Sequence, residues 1–406
     1  MNTPIAPTAN TRAAGMAGAE LVAEGMIRTL VAFDTTSRES NLALIDWVRD
    51  WLASHGVHST LTFDDDRRKA NLFATLPARD GNVTTGGIVL SGHTDVVPVD
   101  GQPWTTNPFE ATWIGDRLHG RGVADMKSFC ATGLAFVPEF LRHGLARPLH
   151  IALSYDEEVG CIGVRRMIDD IARRGIAPFG CIVGEPTGMR TAVAHKGKRS
   201  WRCRIRGFEA HSSLTPQGVN AVEIACEIVA YLANMARAFR DQGPFDRAYD
   251  VAWTTVHTGV IHGGTALNIV PRDCSFDFEI RHLPQDDPEL LFEEIREYAG
   301  RFLPAMRRVD AGTFIEFDAL SATPGFDTGG DAAVARLSRL CSGEERDCKV
   351  SFGSEAALFH GAEIPTIVCG PGHIAQAHQP NEWIAREQLV RCEHFMRRLG
   401  DELCAD

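Results

Sequence analysis

The chain has 406 residues, 44% hydrophobic and 23% charged, which predicts two domains or one large α/β domain that carries an insertion. This balance excludes a disordered, collagen-like or coiled-coil chain. The formal net charge is −12, from 53 acidic and 41 basic residues without a run of Lys and Arg, so a nucleic-acid-binding surface is not expected.

The N-terminal segment MNTPIAPTANTRAAG is polar and lacks the apolar stretch of a signal peptide, so we predict a loose tail. No later stretch approaches the roughly 18 to 20 apolar residues that cross a membrane. The 11 cysteines are scattered and never form CxxC, which is typical of reduced thiols and not of a disulfide framework or a cysteine-ligated zinc site. The sequence therefore predicts a soluble, acidic, cytoplasmic protein.

Two amphipathic helices come first, over residues 19–33 and 41–56, because apolar residues repeat there at helical spacing. Short apolar runs of strand length follow, with helical stretches over 128–142 and 164–174 between some of them. These runs are NLFATLP, GGIVLSGHTD, LHIALSYDEE, CIVGEP and IPTIVCGPG. Strands that alternate with helices predict an α/β domain with a largely parallel sheet, covered on both faces.

The pattern changes between residues 197 and 321. Two helices, over 219–237 and 288–302, alternate there with four strands, which are KRSWRCRIRGF, AWTTVHTGVIHG, CSFDFEIRH and TFIEFDALS. The resulting βαββαβ order is the ferredoxin-like, split βαβ arrangement. Strand character then returns in KVSFGSEAALF and IPTIVCGPG. We therefore predict a domain of residues 1–196 and 322–406, with a second domain of residues 197–321 inserted into it.

Polar side chains follow the predicted strands, at the edge where open α/β sheets bind ligands. His93 and Asp95 come directly after GGIVL, and residues i and i+2 of an extended segment point the same way. A histidine that binds a metal usually donates its other ring N–H to a carboxylate, which Asp95 offers. The alternative is a surface histidine beside a turn. Asp125 precedes a helix, where an N-cap is the alternative.

Further acidic and imidazole groups occupy the same kind of position. Glu157 and Glu158 end one strand, and neighbouring carboxylates repel unless a cation or a raised pKa accommodates them. A solvated acidic loop is the alternative. Glu185 ends the next strand, and His373 and His378 follow the last. Together these clusters predict a two-metal site for Zn²⁺, or for Co²⁺ or Mn²⁺.

Five motifs in chain order resemble those of the M20 family of di-zinc amidohydrolases and peptidases, namely SGHTDVVPVDGQPW, GRGVADMKS, SYDEEVG, GEPT and EAHSSLTP. The resemblance spans nearly the whole chain after about residue 20. It implies a zinc-peptidase-like mixed sheet flanked by helices. It also implies that the inserted ferredoxin-like domain is a lid through which the protein forms a homodimer.

The resemblance also implies a role for each matching residue. Asp95 would orient a metal-binding histidine, and Glu157 would be the general base. His373 does not fit a ligand position. The implied metal ligands are His93 and Glu185 for one zinc ion, Glu158 and His378 for the second, and Asp125 as the carboxylate that bridges both.

Three residues of the inserted domain match positions with a substrate role in this family. His211 resembles a histidine that reaches the substrate of the neighbouring subunit. Asn268 and Arg281 resemble residues that hold the carboxylate end of the substrate. The alternatives are a turn residue for His211 and an ion pair with a nearby acid for Arg281.

The C-terminal run GPGHIAQAHQPNEWI resembles that of the acetylornithine deacetylase branch of the family. This likeness implies hydrolysis of N2-acetyl-L-ornithine to ornithine and acetate, a step of arginine biosynthesis. Two alternatives stay open. One is another N-acyl-amino-acid deacylase, a succinyl-diaminopimelate desuccinylase or a dipeptidase. The other is a catalytically silent binding protein, which the complete set of ligand residues disfavours. In each case the expected partner is a small molecule, not nucleic acid or a membrane.

Overall fold

The computed structural model describes residues 21–405, so the predicted N-terminal tail lies outside the described residues. The chain divides into two compact units. The first consists of residues up to 193, 328–347 and the segment from 358 onward, and the second of 194–327 and 348–357. The second unit thus contains the predicted insertion of residues 197–321 and, in addition, residues 194–196, 322–327 and 348–357. Within residues 21–405, no helix is long and apolar enough to cross a membrane.

The first unit contains most of the strands. They are β1 (Ser59–Phe63), β2 (Ala70–Leu76), β3 (Ile88–His93), β4 (Thr112–Ile114), β5 (Arg117–His119), β6 (Leu149–Ser154), β7 (Gly180–Pro186), β8 (Ala192–His195, which leads into the second unit), β15 (Thr366–Gly370) and β16 (Trp383–Ala385). Its helices are α1 (Glu24–Val31), α2 (Leu42–Ser54), α3 (Lys127–Ala135), α4 (Val137–His143), α5 (Ile162–Arg173), α9 (Ala333–Ser342) and α11 (Arg386–Cys404).

The main sheet of the first unit has the strand order β1-β2-β6-β3-β7-β15-β8. Its four central strands, β6, β3, β7 and β15, run parallel to one another. Antiparallel β2 and β1 extend one side, and antiparallel β8 extends the other. The expectation of a mixed α/β fold is confirmed, whereas the expectation of a largely parallel sheet holds only for the centre. The short link between β1 and β2 permits only an antiparallel pair, because parallel neighbours need a long crossover.

Continuous apolar sequence explains the central strands. Every residue of β3, β6, β7 and β15 is buried, as expected for strands covered on both faces. Helix α2 contributes its predicted apolar stripe to the core, and the predicted helix 128–142 is divided into α3 and α4. The division coincides with Pro138 in the first turn of α4, where proline is tolerated because its missing N–H has no helical partner.

The second unit is built around a four-stranded antiparallel sheet in the order β10-β11-β9-β12. The strands are β9 (Gly197–Arg206), β10 (Thr255–Gly263), β11 (Asp273–His282) and β12 (Phe314–Thr323), and the helices are α6 (Ala221–Gln242), α7 (Pro288–Gly300) and α8 (Leu303–Val309). The predicted βαββαβ order is therefore present, with α8 as an addition. Trp201, Cys203 and Ile205 alternate along β9 with exposed arginines and pack into the core of this unit.

Strand character was expected throughout KVSFGSEAALF, and this expectation is wrong for most of the segment. Only β14 (Cys348–Val350) is a strand, and α10 (Ala356–Gly361) follows it. The Ser354 hydroxyl accepts a hydrogen bond from the Ala356 N–H at 3.3 Å, which suits a helix start. Strand β14 and the two-residue β13 (Phe326–Asp327) both pair with β8.

Candidate metal centre

Parallel pairing of three buried strands brings the predicted ligands together. His93 is the last residue of β3, and it is paired in register with Ser154, the last residue of β6. The acidic turn that carries Glu157 and Glu158 begins directly after β6. On the other side, β7 pairs with β3 through Ser91 and Val183, so Glu185 lies just beyond the pairing on the same edge of the sheet. The strand register therefore converges these side chains at one end of the sheet.

His93 is fully buried and contacts two of the predicted carboxylates. Its Nε2 lies 3.0 Å from Asp125 Oδ1 and 3.7 Å from Glu185 Oε1. On the other side of the ring, Nδ1–H donates to the main-chain carbonyl of Asp95 at 2.8 Å. Because this bond fixes the proton on Nδ1, the Nε2 lone pair of neutral His93 is directed at the acidic cluster.

Asp125 lies between two histidines from distant parts of the sequence. Its Oδ1 faces His93, and its Oδ2 lies 3.3 Å from Nε2 of His378. The same His378 nitrogen is 3.0 Å from Glu158 Oε2. Each oxygen of this one carboxylate thus points at a different imidazole, which is the arrangement required of a carboxylate that bridges two cations.

The donor chemistry of the cluster fits divalent metal ions. The ligand atoms of His93, Glu157 and Glu185 all lie within 4.8 Å of one another, and so do those of His93, Asp125 and Glu158. Imidazole nitrogen together with carboxylate oxygen is a donor set that suits Zn²⁺, Co²⁺ and Mn²⁺.

The pKa shifts of the clustered carboxylates also favour a cation at this site. Burial raises the pKa of Glu157 to about 8, and it raises the pKa of Glu158 and of Glu185 as well, with the negative charge of Asp125 adding to the rise at the latter two. Burial opposes the charged form of Asp125 too, but His378 and His93, which in their protonated forms donate to it and carry positive charge, hold its pKa below the ordinary value. Buried carboxylates that disfavour one another's charge are stabilised by a nearby cation.

The Asp95 carboxylate accepts hydrogen bonds from the acidic turn, whereas the His93 ring donates to the main-chain carbonyl of Asp95. The carboxylate lies 3.6 Å from His93 Nδ1, farther than the main-chain carbonyl of the same residue. Its two oxygens accept hydrogen bonds from the backbone N–H groups of Glu157 at 3.1 Å and Glu158 at 3.3 Å, and from the Ser37 hydroxyl at 2.8 Å. The sequence pattern HxD did not indicate this contact, because the turn lies about 60 residues further along the chain.

His373 belongs to neither group of ligand atoms in the described chain. It precedes the 3-10 turn Ile374–Gln376, and its backbone N–H donates to the Gln376 side chain at 2.7 Å. Its ring packs against Gly188, where a Cβ atom would approach the imidazole to 2.4 Å. Gly188 also has φ +68°, so two independent reasons favour glycine there.

Within the second unit, His211 is exposed and its tautomer is defined by its neighbours. Nδ1 of His211 accepts a hydrogen bond from the Ser213 N–H at 3.2 Å, so neutral His211 carries its proton on Nε2. Ser212 N–H donates to the main-chain carbonyl of Asn268 at 3.0 Å, which brings Asn268 beside His211. Arg281 pairs with Glu279 at 2.9 Å, the alternative that its sequence left open.

Comparison with known proteins gives a consistent result. The sequence profile of peptidase family M20/M25/M40 matches residues 89–402. Curated relatives named acetylornithine deacetylase include that of Proteus mirabilis (33% identity, 93% of this chain and 94% of the relative) and that of Pasteurella multocida (32%, 93% and 95%).

Solved structures share the fold at low sequence identity. An M20 family metallo-carboxypeptidase from Sulfolobus solfataricus has a TM-score of 0.74 at 16% identity, over 94% of this chain and 99% of that one. The YXEP protein of Bacillus subtilis, described as a dinuclear metal-binding peptidase of the M20 family, has a TM-score of 0.65 at 14% identity, over 94% and 98%.

Proposed function

The chain belongs to peptidase family M20/M25/M40, and on that premise we propose that it hydrolyses the amide bond of an N-acyl amino acid. The observation that carries this proposal is the position of Asp125, whose two carboxylate oxygens face His93 and His378 separately. A carboxylate placed in this way could bridge two divalent cations, and a buried general-base candidate, Glu157, lies in the same cluster. The second candidate, a silent binding protein, is therefore disfavoured.

The proposed ligands divide into two sets that share Asp125. His93 and Glu185 would hold one cation, and Glu158 and His378 the other. When bound, the ions would lower the pKa of a water toward roughly 7 and polarise the amide carbonyl. The chain contributes a fixed geometry, because three of these residues lie at or directly after buried parallel strands.

Glu157 is the proposed general base. Its carboxylate belongs to the cluster, and it accepts a hydrogen bond from the Cys161 thiol at 3.1 Å. In the reaction it would take one proton from the attacking water as the C–O bond forms. It would then give that proton to the amide nitrogen as the C–N bond breaks, so that an amine and a carboxylic acid leave.

Three residues of the second unit have proposed roles toward the substrate. Neutral His211 carries a hydrogen-bond donor on Nε2, which suits the stabilisation of an oxyanion on the substrate of a neighbouring subunit. Asn268 and Arg281 would hold the substrate carboxylate, which for Arg281 requires that its pairing with Glu279 be loosened or shared. These roles presuppose a homodimer formed through this unit, which we include in the proposal together with a cytoplasmic location.

N2-acetyl-L-ornithine is the proposed substrate, with ornithine and acetate as products in arginine biosynthesis. Relatives named acetylornithine deacetylase support it at 32–33% identity over 93% of the chain. The competing substrates have the same reactive bond and differ in acyl group or side chain. They are other N-acyl amino acids, N-succinyl-diaminopimelate and dipeptides.

The test is a substrate panel on protein loaded with Zn²⁺ or Co²⁺. The proposal predicts the highest kcat/KM for N2-acetyl-L-ornithine, with N-succinyl amino acids and dipeptides at least tenfold lower. A different optimum would refute the substrate while leaving the reaction class in place. Bound metal without turnover of any amide would establish the silent binding protein instead.

A further inference from the structure

A buried carboxylate outside the proposed ligand set joins the two loops that carry Asp125 and His378. Glu382 is 1% exposed, and it accepts hydrogen bonds from four donors of the loop before Asp125. Its Oε2 accepts from the Arg121 guanidinium at 2.8 Å and from the Gly122 N–H at 3.1 Å, and its Oε1 from the Ala124 N–H at 2.8 Å and the Asp125 N–H at 3.2 Å. The backbone amide of Asp125 is thus held directly.

The same network reaches the loop of His378 by a second route. Arg121 donates to the Gln102 side-chain oxygen at 2.5 Å, and the Gln102 amide donates to the main-chain carbonyl of His378 at 3.2 Å. The guanidinium also lies 5.0 Å from the centre of the Trp104 ring. Glu382 itself follows His378 by only four residues. The short segment from His378 to Glu382 is therefore hydrogen-bonded at both of its ends to this network.

The backbone conformation of His378 is one that needs support from neighbouring residues. Its φ of +60° lies in the left-handed region, which a residue with a Cβ atom adopts only when its surroundings hold it there. The side chain of His378 is 53% exposed, so packing around the ring does not fix it. The hydrogen bond from Gln102, the hydrogen bond from Arg121 to the Gln379 carbonyl at 3.4 Å and the anchored Glu382 all restrain this backbone.

We propose that Glu382 is a positioning residue that sets the distance between Asp125 and His378 and thereby the affinity for one of the two cations. This inference rests on the ligand assignment of the proposed function. The affected ion is the one held by Glu158 and His378, since both His378 and the bridging Asp125 depend on the network. The other ion shares only Asp125 with this network, because His93 and Glu185 belong to β3 and β7, so its affinity should fall less.

The experiment compares the metal-free wild type with Glu382→Gln, titrated with Zn²⁺ by calorimetry and with Co²⁺ by visible absorption. Glutamine keeps the shape of the side chain but loses the charge and cannot accept from all four donors. We expect two ions in the wild type. In the variant, one affinity should fall by about 10- to 100-fold, as for other partners of metal ligands, and the other by clearly less.

A matched control separates positioning from general destabilisation. Glu393→Gln also removes a buried carboxylate that accepts a backbone N–H, from Ala23 at 2.9 Å, but none of its hydrogen bonds reaches a ligand loop. This control should bind both ions as the wild type does. Should Glu382→Gln not fold, Gln102→Leu, at a half-buried position, should weaken the same single ion.

Three outcomes overturn the inference. They are wild-type affinity for both ions in Glu382→Gln, an equal loss of both ions, and the same loss in the Glu393 control. A wild type that binds fewer than two ions would instead refute the proposed function. The two failures are therefore distinguishable in one titration.

Discussion

Replacement of Glu157 by glutamine separates proton transfer from metal binding. The carboxylate is buried, and its Oε1 accepts a hydrogen bond from the Cys161 thiol at 3.1 Å. A glutamine side chain has the same shape and keeps an oxygen that can accept this bond. It cannot, however, take a proton from water. None of the five proposed metal ligands is altered, so two ions per chain should stay bound.

The expected effect is large and confined to kcat. A positioned general base contributes typically about 10²- to 10⁴-fold, which corresponds to about 2.7 to 5.4 kcal/mol in the barrier at 1.36 kcal/mol per tenfold. Glu157→Gln and Glu157→Ala should both lower kcat by at least about 10²-fold. KM should change little in the glutamine variant, because the shape of the site is retained.

The assay is amine release under saturating substrate, with bound metal measured by mass spectrometry on the same samples. Asp156→Asn is the matched control, because this adjacent carboxylate pairs with Lys69 at 2.5 Å. The control should keep kcat within a few-fold of the wild type. A kcat within tenfold of wild type in Glu157→Gln would refute the assignment of the base, and so would the loss of both metal ions.

Three further predictions follow from the site and its surroundings. His211→Ala should melt within about 2 °C of the wild type, since the ring is exposed, but should lose about 10²- to 10³-fold in kcat, and full activity would remove His211 from the mechanism. Burial lowers the pKa of His150 from 6.5 to about 4, so the stability of its neutral form is present above pH 6.5 and is lost as the pH falls toward 4. Between pH 7 and pH 5 this loss is about 2 kcal/mol, so urea unfolding of His150→Leu should show a shallower pH dependence, and parallel curves would contradict it. EDTA treatment should abolish turnover and added Zn²⁺ or Co²⁺ should restore it, whereas activity of fully metal-free protein would contradict a metal-dependent reaction.

The sequence predicts the centre of the fold well because burial on both faces leaves continuous apolar runs. GGIVLSGHTD and CIVGEP both become buried parallel strands, and His93 and Glu185 lie where those runs predict them. The edges are harder to predict. Strand β1 is only partly buried, so it leaves no continuous apolar run in the sequence.

The contacts that support the candidate site could not be predicted from local patterns. The Asp95 carboxylate binds the backbone of a turn about 60 residues later, and Glu382 binds amides about 260 residues earlier. Backbone N–H groups are present at every residue except proline, so sequence gives no signal for which of them a carboxylate will contact. The one sequence signal for Glu382 is its position in the run HQPNEWI, four residues after His378.

A crystal structure of the protein grown with Zn²⁺, with anomalous data collected on both sides of the zinc edge, tests the central idea most directly. Two anomalous peaks about 3.5–4 Å apart are expected, one against each oxygen of Asp125. His93 and Glu185 should contact one peak, and Glu158 and His378 the other. A zinc-loaded crystal with both ions elsewhere, or with Asp125 contacting neither, would contradict the account.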